Sequence, residues 1–359
     1  MKILIYVGKL GGGGAERVAV MWANGFKMRG NDVKLIVNKR CENEYSVHSD
    51  VGVEVVKHDS RYNVIRQLGQ IHNIRKVVRR YDPDVIITVL HPCGLYSYLA
   101  TIGLGVPIIN TEHNAFVRPG KAKYKRIDII NRFYINKLFN HITVLAQTDK
   151  NLIEKRIKDV SVLPNPLAFN PVEEIPAKQK VVLAMGRLDA WYIKGFDVLI
   201  KAWENVHHSY PDWKLQIAGA GSDKAIIQLK EFCVASNVAS SVEFIGYFDN
   251  PEKVYKYSSI FVLSSRCEGF GMVVVEAMSQ GCACVACDYG GRQKEIIRNE
   301  TEGITCETDN TEQLSKCICR LIENQQLRNS IQKSSVIRSK DFSLDIIMDK
   351  WENIISKTL

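Results

Sequence analysis

"LPNPLAFNPVEEIPAKQK", residues 163–180, holds four prolines, Pro164, Pro166, Pro171 and Pro176, and shows no helical or strand period. Proline removes an amide donor and biases its neighbours toward extended backbone, so the stretch reads as a linker. Before it, short β-branched runs alternate with amphipathic segments such as 15–28 and 64–80; the runs are "KILIYV" (2–7), "DVKLIV" (32–37), "DVIITVL" (84–90), "PIINTE" (107–112) and "HITVLA" (141–146). After it the rhythm restarts, with "KVVLAMG" (180–186), "WKLQIAG" (213–219), "SVEFIGY" (241–247), "IFVLSS" (260–265) and "ACVACDY" (283–289). Strand, helix, strand at this spacing means a parallel sheet with helices on both faces.

The expected fold class is therefore α/β, two tandem doubly wound, Rossmann-like domains facing across a cleft. Their expected bounds are 1–165 and 180–340, joined by a linker at 166–179. The final helical pattern, 344–357, has no strand after it, so 341–359 is expected to cross back to the first domain. A chain of 359 residues suits two cores of ordinary size, and 46% apolar with 24% charged residues is a globular composition. No apolar run approaches the length of a membrane span. "MKILIYVGKLGGGG" (1–14) reads as a buried first strand and not as a signal peptide. The ten cysteines are scattered through apolar segments, which points to a reducing compartment. "CACVAC" (282–287) lacks the paired Cys-x-x-Cys spacing of zinc sites and alternates like a buried strand, so no metal is expected there. Charge is uneven: residues 1–170 carry 26 Lys and Arg against 14 Asp and Glu, a balance of +12, and residues 171–359 carry 22 against 25, a balance of −3. That asymmetry fits two domains with different partners.

Ligands of doubly wound sheets bind outside the carboxyl ends of the strands. "GKLGGGGAERV" (8–18) lies there, after the first strand, with Gly13 and Gly14 opening a helix. It matches neither G-x-G-x-x-G nor a P-loop, so it offers free amides and close backbone approach without either signature. In "MGRLDAWYIKGFDVL" (185–199), Arg187 follows a strand and Lys194 precedes a helix. Two cations at one sheet edge suit a diphosphate. In "EGFGMVVVEAM" (268–278), Gly269 and Gly271 leave amides near a helix start, with Glu268 before the helix and Glu276 inside it. A carboxylate accepts two hydrogen bonds and a vicinal diol donates two, so one carboxylate for a ribose, one for a hexose and cations between them describe a nucleotide sugar.

"GGAERV" (13–18), "TEHN" (111–114), "LPNPL" (163–167), "GRL" with "KGFDVLIKAW" (186–203) and "EGFGMVVVEAMSQG" (268–281) together resemble the retaining glycosyltransferases of glycosyltransferase family 4, which have the GT-B fold. The resemblance implies a nucleotide-diphosphate sugar donor, UDP-sugar before GDP-sugar. It also implies metal-independent transfer with retention of anomeric configuration, and no cofactor. It assigns Arg187 and Lys194 to the diphosphate, which the free amides at Gly13 and Gly14 are also expected to meet, and Glu276 to the ribose. Glu268 goes to the donor sugar, where the amides of Gly269, Phe270 and Gly271 also face it. His113 of "TEHN" is expected to bond the donor sugar or align the acceptor. The acceptor implied is a glycan or lipid-linked molecule of cell-surface polysaccharide synthesis. Two departures stand out. Lys194 follows Arg187 by seven residues where the family commonly has five, and the extra residues, near Trp191 and Tyr192, are expected either to reshape the donor pocket or to put an aromatic over the base. Gly281-Cys282-Ala283 replaces the common Gly-x-Pro.

Asp82-Pro83-Asp84 has the Asp-x-Asp pattern that binds metals elsewhere, but it lies between a helix and a strand start, at the amino edge. Lys121, Lys123, Lys125, Arg126, Arg132 and Lys137, interleaved with Ile127, Ile129, Ile130, Phe133, Tyr134, Ile135 and Leu138, form either a solvated flank or a basic surface for an anionic membrane. No nucleic-acid motif accompanies that charge. The expected location is cytoplasmic, with peripheral attachment to the inner membrane face. A nucleotide-sugar 2-epimerase on the same fold, or a non-catalytic nucleotide-sugar sensor, are the alternatives.

Overall fold

A computed structural model describes residues 1–118, 124, 126–248 and 250–359. The chain divides into two compact units. The first comprises Met1–Val117, Lys123–Pro166 and Leu344–Leu359, the second Arg118–Ala122 and Leu167–Ser343.

In the first unit the strands are β1 (Lys2–Val7), β2 (Asp32–Val37), β3 (Gly52–Val55), β4 (Val85–Val89), β5 (Ile108–Thr111), β6 (His141–Val144) and β7 (Val160–Val162). They form one parallel sheet in the order β3-β2-β1-β4-β5-β6-β7. β1 and β4 are buried over almost their whole length, as central strands covered on both faces must be. The helix Leu344–Thr358 packs on the helix Gly14–Met28 of the same unit. Trp351 meets Trp22 edge-on with ring centroids 4.9 Å apart. The two helices approach so closely that a Cβ on Gly25 would lie 2.8 Å from the Met348 sulfur. Arg29 pairs with Asp349 at 2.7 Å and Glu352 at 2.9 Å beside that contact.

The second unit holds β8 (Gln179–Met185), β9 (Lys214–Ala218), β10 (Val242–Gly246), β11 (Ser258–Leu263), β12 (Ala283–Asp288) and β13 (Ile304–Glu307). Their order is β10-β9-β8-β11-β12-β13, again parallel throughout. Three strands, β3, β7 and β13, are absent from the sequence reading. The sequence order of neighbouring strands reverses between β1 and β4, and between β8 and β11. At such a switch point the crossover helices leave to opposite faces and open a crevice at the carboxyl ends.

Candidate functional site

The second unit's switch point is built by two loops. One follows β8: Gly186, Arg187, the turn Leu188–Ala190, the short helix Trp191–Lys194, then Gly195 and the helix Phe196–Ser209. The other follows β11, from Ser264 to Gly271, and enters the helix Met272–Ser279. Arg266 joins them. Its guanidinium makes a bidentate pair with Asp197, both bonds 2.8 Å, bonds Asp309 at 2.6 Å and the Tyr192 carbonyl at 2.5 Å, and lies 4.2 Å over the Tyr192 ring. The Ser264 hydroxyl donates to the Lys194 carbonyl at 2.9 Å. Gly195 has φ +64°, and a Cβ there would sit 2.0 Å from the Ser264 carbonyl oxygen, so only glycine fits.

This stitching places Lys194 against Glu268: ammonium and carboxylate meet at 2.7 Å, both mostly screened from water. The same carboxylate oxygen accepts from the Ser265 hydroxyl at 2.7 Å. Glu276, 5% exposed, accepts from the Tyr255 hydroxyl at 3.1 Å; that hydroxyl also lies 3.3 Å from the sulfur of Met185, the last residue of β8. Lys194, Glu268 and Glu276 are thus gathered at the carboxyl ends of β8 and β11. Arg187 is beside them in the chain but exposed. Gly271 caps its helix at φ +96°, and the Gln293 amide donates to the Phe270 carbonyl at 3.0 Å, fixing the turn. The Phe270 ring is buried on Phe342, which leaves its backbone as the group able to meet a ligand. The aromatic residues of the longer Arg187–Lys194 spacing both have partners within the second unit. Trp191 packs on Phe232 with centroids 5.1 Å apart, and Tyr192 lies under Arg266.

In the first unit, Gly13 and Gly14 stand at the start of the helix after β1, with the Tyr45 hydroxyl donating to the Gly13 carbonyl at 3.3 Å. His113 follows β5 by two residues. Its ring lies against Trp22, centroids 5.4 Å apart, and Nε2 is 3.0 Å from the Thr111 hydroxyl. Burial pulls its pKa down to about 4, opposed by the charge of Glu112 and by Asn165. Beside it Glu112 is 1% exposed and meets His91 at 2.5 Å, Asn136 at 3.1 Å and Arg132 at 3.5 Å. Burial pushes the Glu112 carboxyl up, but these partners outweigh it and hold it below the usual carboxylate range. Arg132 is therefore a buried partner and not part of a solvated basic surface, a correction to its grouping with the neighbouring cations. Lys121, Lys123 and Lys125 lie outside the described residues; Arg126 opens the helix Arg126–Phe133. Asp84 accepts the Lys2 amide at 2.8 Å and Asp82 ends a helix with φ +53°, so both have local structural work at the amino edge.

Arg266, Tyr255, Gln293 and His91 are absent from the sequence reading. Arg266 stands inside the quoted "SSRCEGFG", where a cation at a strand's end is a signal, but its partners are 43 and 69 residues away.

Residues 12–168 match the family model described as Glycosyltransferase Family 4, and residues 168–336 match that described as Glycosyl transferases group 1. The chain is 28% identical over 359 residues to an uncharacterized glycosyltransferase of Haemophilus influenzae, covering 99% of both chains. It is 25% identical over 368 residues to the GalNAc-alpha-(1->4)-GalNAc-alpha-(1->3)-diNAcBac-PP-undecaprenol alpha-1,4-N-acetyl-D-galactosaminyltransferase of Campylobacter jejuni, covering 99% of both chains. Among solved structures, Anabaena HepE in complex with UDP-glucose superposes with a TM-score of 0.82 at 17% identity, over 99% of this chain and 100% of that one, which is a likeness of fold. With the two models spanning residues 12–336 and two Rossmann-like sheets beneath them, the chain is a glycosyltransferase, its first unit of the family 4 kind and its second of the group 1 kind.

Proposed function

We propose that this glycosyltransferase moves a hexose from a UDP-sugar to a glycan or lipid-linked acceptor, with retention at the anomeric carbon and without a metal. The observation that carries the reading is the convergence of Lys194, Glu268 and buried Glu276 at the carboxyl ends of β8 and β11. In it, Glu276 receives the ribose hydroxyls and Glu268 a hydroxyl of the donor sugar, helped by the amides of Gly269, Phe270 and Gly271. Lys194 has three N–H donors and directs one to Glu268; the others, with the exposed Arg187, are free to meet the diphosphate. Gly13 and Gly14 offer amides, and His113 an imidazole, at the carboxyl edge of the first unit's own sheet.

The chemistry follows from where charge develops. The bond from the anomeric carbon to the phosphate oxygen breaks, and the acceptor oxygen forms its bond on the same face. The acceptor's proton passes to the departing phosphate oxygen. Lys194 and Arg187 stabilise that oxygen as negative charge accumulates on it. The undecaprenol-linked substrate named for the Campylobacter relative supports a lipid-linked acceptor, and the UDP-glucose in HepE supports a uridine donor. For such an acceptor, Lys121, Lys123, Lys125 and Arg126 would supply cations for its phosphates.

A donor panel of UDP-glucose, UDP-galactose, UDP-N-acetylglucosamine, UDP-N-acetylgalactosamine and GDP-mannose, incubated in EDTA, tests the reading. The expected outcome is slow release of UDP from one hexose donor and a retained anomer in the product by NMR. An isomerised sugar without transfer would mean an epimerase, and binding without turnover a sensor. Loss of activity restored by Mn²⁺ would contradict metal independence.

A further inference from the structure

The second unit has a cavity of about 310 Å³ at the amino ends of its strands, on the edge of the sheet opposite the candidate site. Lys178, just before β8, and Ser259, near the start of β11, line it together with the helix Gln325–Ser339. Three of the lining residues are cations, Lys178, Arg328 and Lys333, and among the described residues no acid lines it. Lys178 and Arg328 are half-buried, and a charge withdrawn from water needs a partner. Three other screened cations of this chain have one: Lys194 has Glu268, Arg132 has Glu112 and Arg266 has Asp197. The two cavity cations are held by carbonyls instead. The Lys178 ammonium donates to the Tyr255 carbonyl at 3.1 Å and to the Gln280 carbonyl at 2.7 Å. Arg328 donates to the carbonyls of Leu321 at 2.5 Å and Ile322 at 3.0 Å. Burial lowers the pKa of both groups, and an anion beside them would oppose that shift.

We propose that this cavity binds a phosphate ester of the size of a sugar phosphate, and that its occupancy tightens the donor site. Three cations and the N-terminal turns of a fifteen-residue helix suit a phosphate group. The volume is at the small end of ligand sites and is more than a bare phosphate fills. Gln325 and Asn329, also in the lining, add amides that can bond sugar hydroxyls. Lys178 links the cavity to the opposite edge. One carbonyl it holds belongs to Tyr255, whose hydroxyl bonds Glu276; the other belongs to Gln280, which closes the helix carrying Glu276. An ammonium has three N–H donors, so one remains for a phosphate. A phosphate there fixes the group that holds both supports of Glu276, which lowers the ordering cost of donor binding. The coupling rests on the donor reading; the binding of the ester does not.

Glucose 6-phosphate, glucose and inorganic phosphate are titrated calorimetrically into the full-length protein, with and without saturating UDP. Glucose 6-phosphate is expected to bind more tightly than inorganic phosphate and to remain bound when UDP is present, and glucose is expected not to bind. A Lys333→Glu/Asn329→Asp variant, changed only at exposed positions, should bind the ester roughly tenfold or more weakly at unchanged Tm. The ester should raise UDP affinity about fivefold or more in the wild type and not in the variant. Absence of ester binding, equal affinity in the variant, no preference over inorganic phosphate, or displacement of the ester by UDP would each overturn the site. A UDP affinity indifferent to the ester would overturn the coupling. Absence of UDP binding would count against the donor reading alone, since the ester titration is also read without UDP.

Discussion

Glu268 and Glu276 are eight positions apart and are held by different partners, which makes their substitution effects separable. Glu268 shares a charge with Lys194, so Glu268→Gln keeps the shape and releases the ammonium. If its carboxylate matters mainly as charge develops on the sugar, turnover should fall by more than UDP-sugar affinity, measured as kcat against KM. Equal losses would point to uniform binding. His113 offers a pH signature. Its folded pKa is about 4 because burial disfavours the imidazolium, against about 6.5 in an unfolded chain. The unfolded state then binds more protons between those values, so the stabilising contribution is complete above pH 6.5 and is lost as pH falls toward 4. His141, lowered in the same direction by burial, adds to the effect. Urea midpoints should fall between pH 7.5 and pH 5, and His113→Asn should lessen the fall by up to about 2 kcal/mol. A slope unchanged in that variant would contradict the buried neutral ring.

At the scale of elements, the ten strand runs read from the sequence are all strands, and the three that escaped have a common character. β3, β7 and β13 are three or four residues long and each lies at a sheet edge. "GVEV" in β3 is exposed or half-exposed throughout, so it lacks the continuous apolar run that marks a strand covered on both faces. β10 is also an edge but was legible, because its five residues include Phe244 and Ile245. The candidate site was legible in part for a related reason. Glu268, Glu276 and Lys194 could be placed at strand ends from local pattern. The direct Lys194–Glu268 pair and the Arg266 clamp could not, because they depend on contacts between loops about 70 residues apart. The helix Leu344–Thr358 illustrates how much such distant contacts contribute. Trp351 is fully buried against Trp22 and Phe26 in the first unit. Trp351→Ala should cost about 3–5 kcal/mol by loss of burial and the cavity left behind. Chemical denaturation should show it as a lowered midpoint for the first unit; a change under 1 kcal/mol would mean the helix contributes little there.

For the molecule as a whole, two switch points, one in each sheet, give two places where loops from different strands converge. The charge difference between the halves, +12 against −3, accompanies a division of labour in this account. Under the proposed function the basic first half would meet the acceptor, and the second half would hold the donor. The central claim is that the second unit binds a uridine nucleotide with its ribose on Glu276. Calorimetric titration of UDP into the wild type and into Glu276→Ala tests it without any acceptor. Removing a charged acceptor from buried hydroxyls should weaken UDP by about 1.5–3 kcal/mol, roughly ten- to hundredfold. An unchanged UDP affinity in a variant that retains its Tm would contradict the ribose assignment and, with it, the placement of the donor.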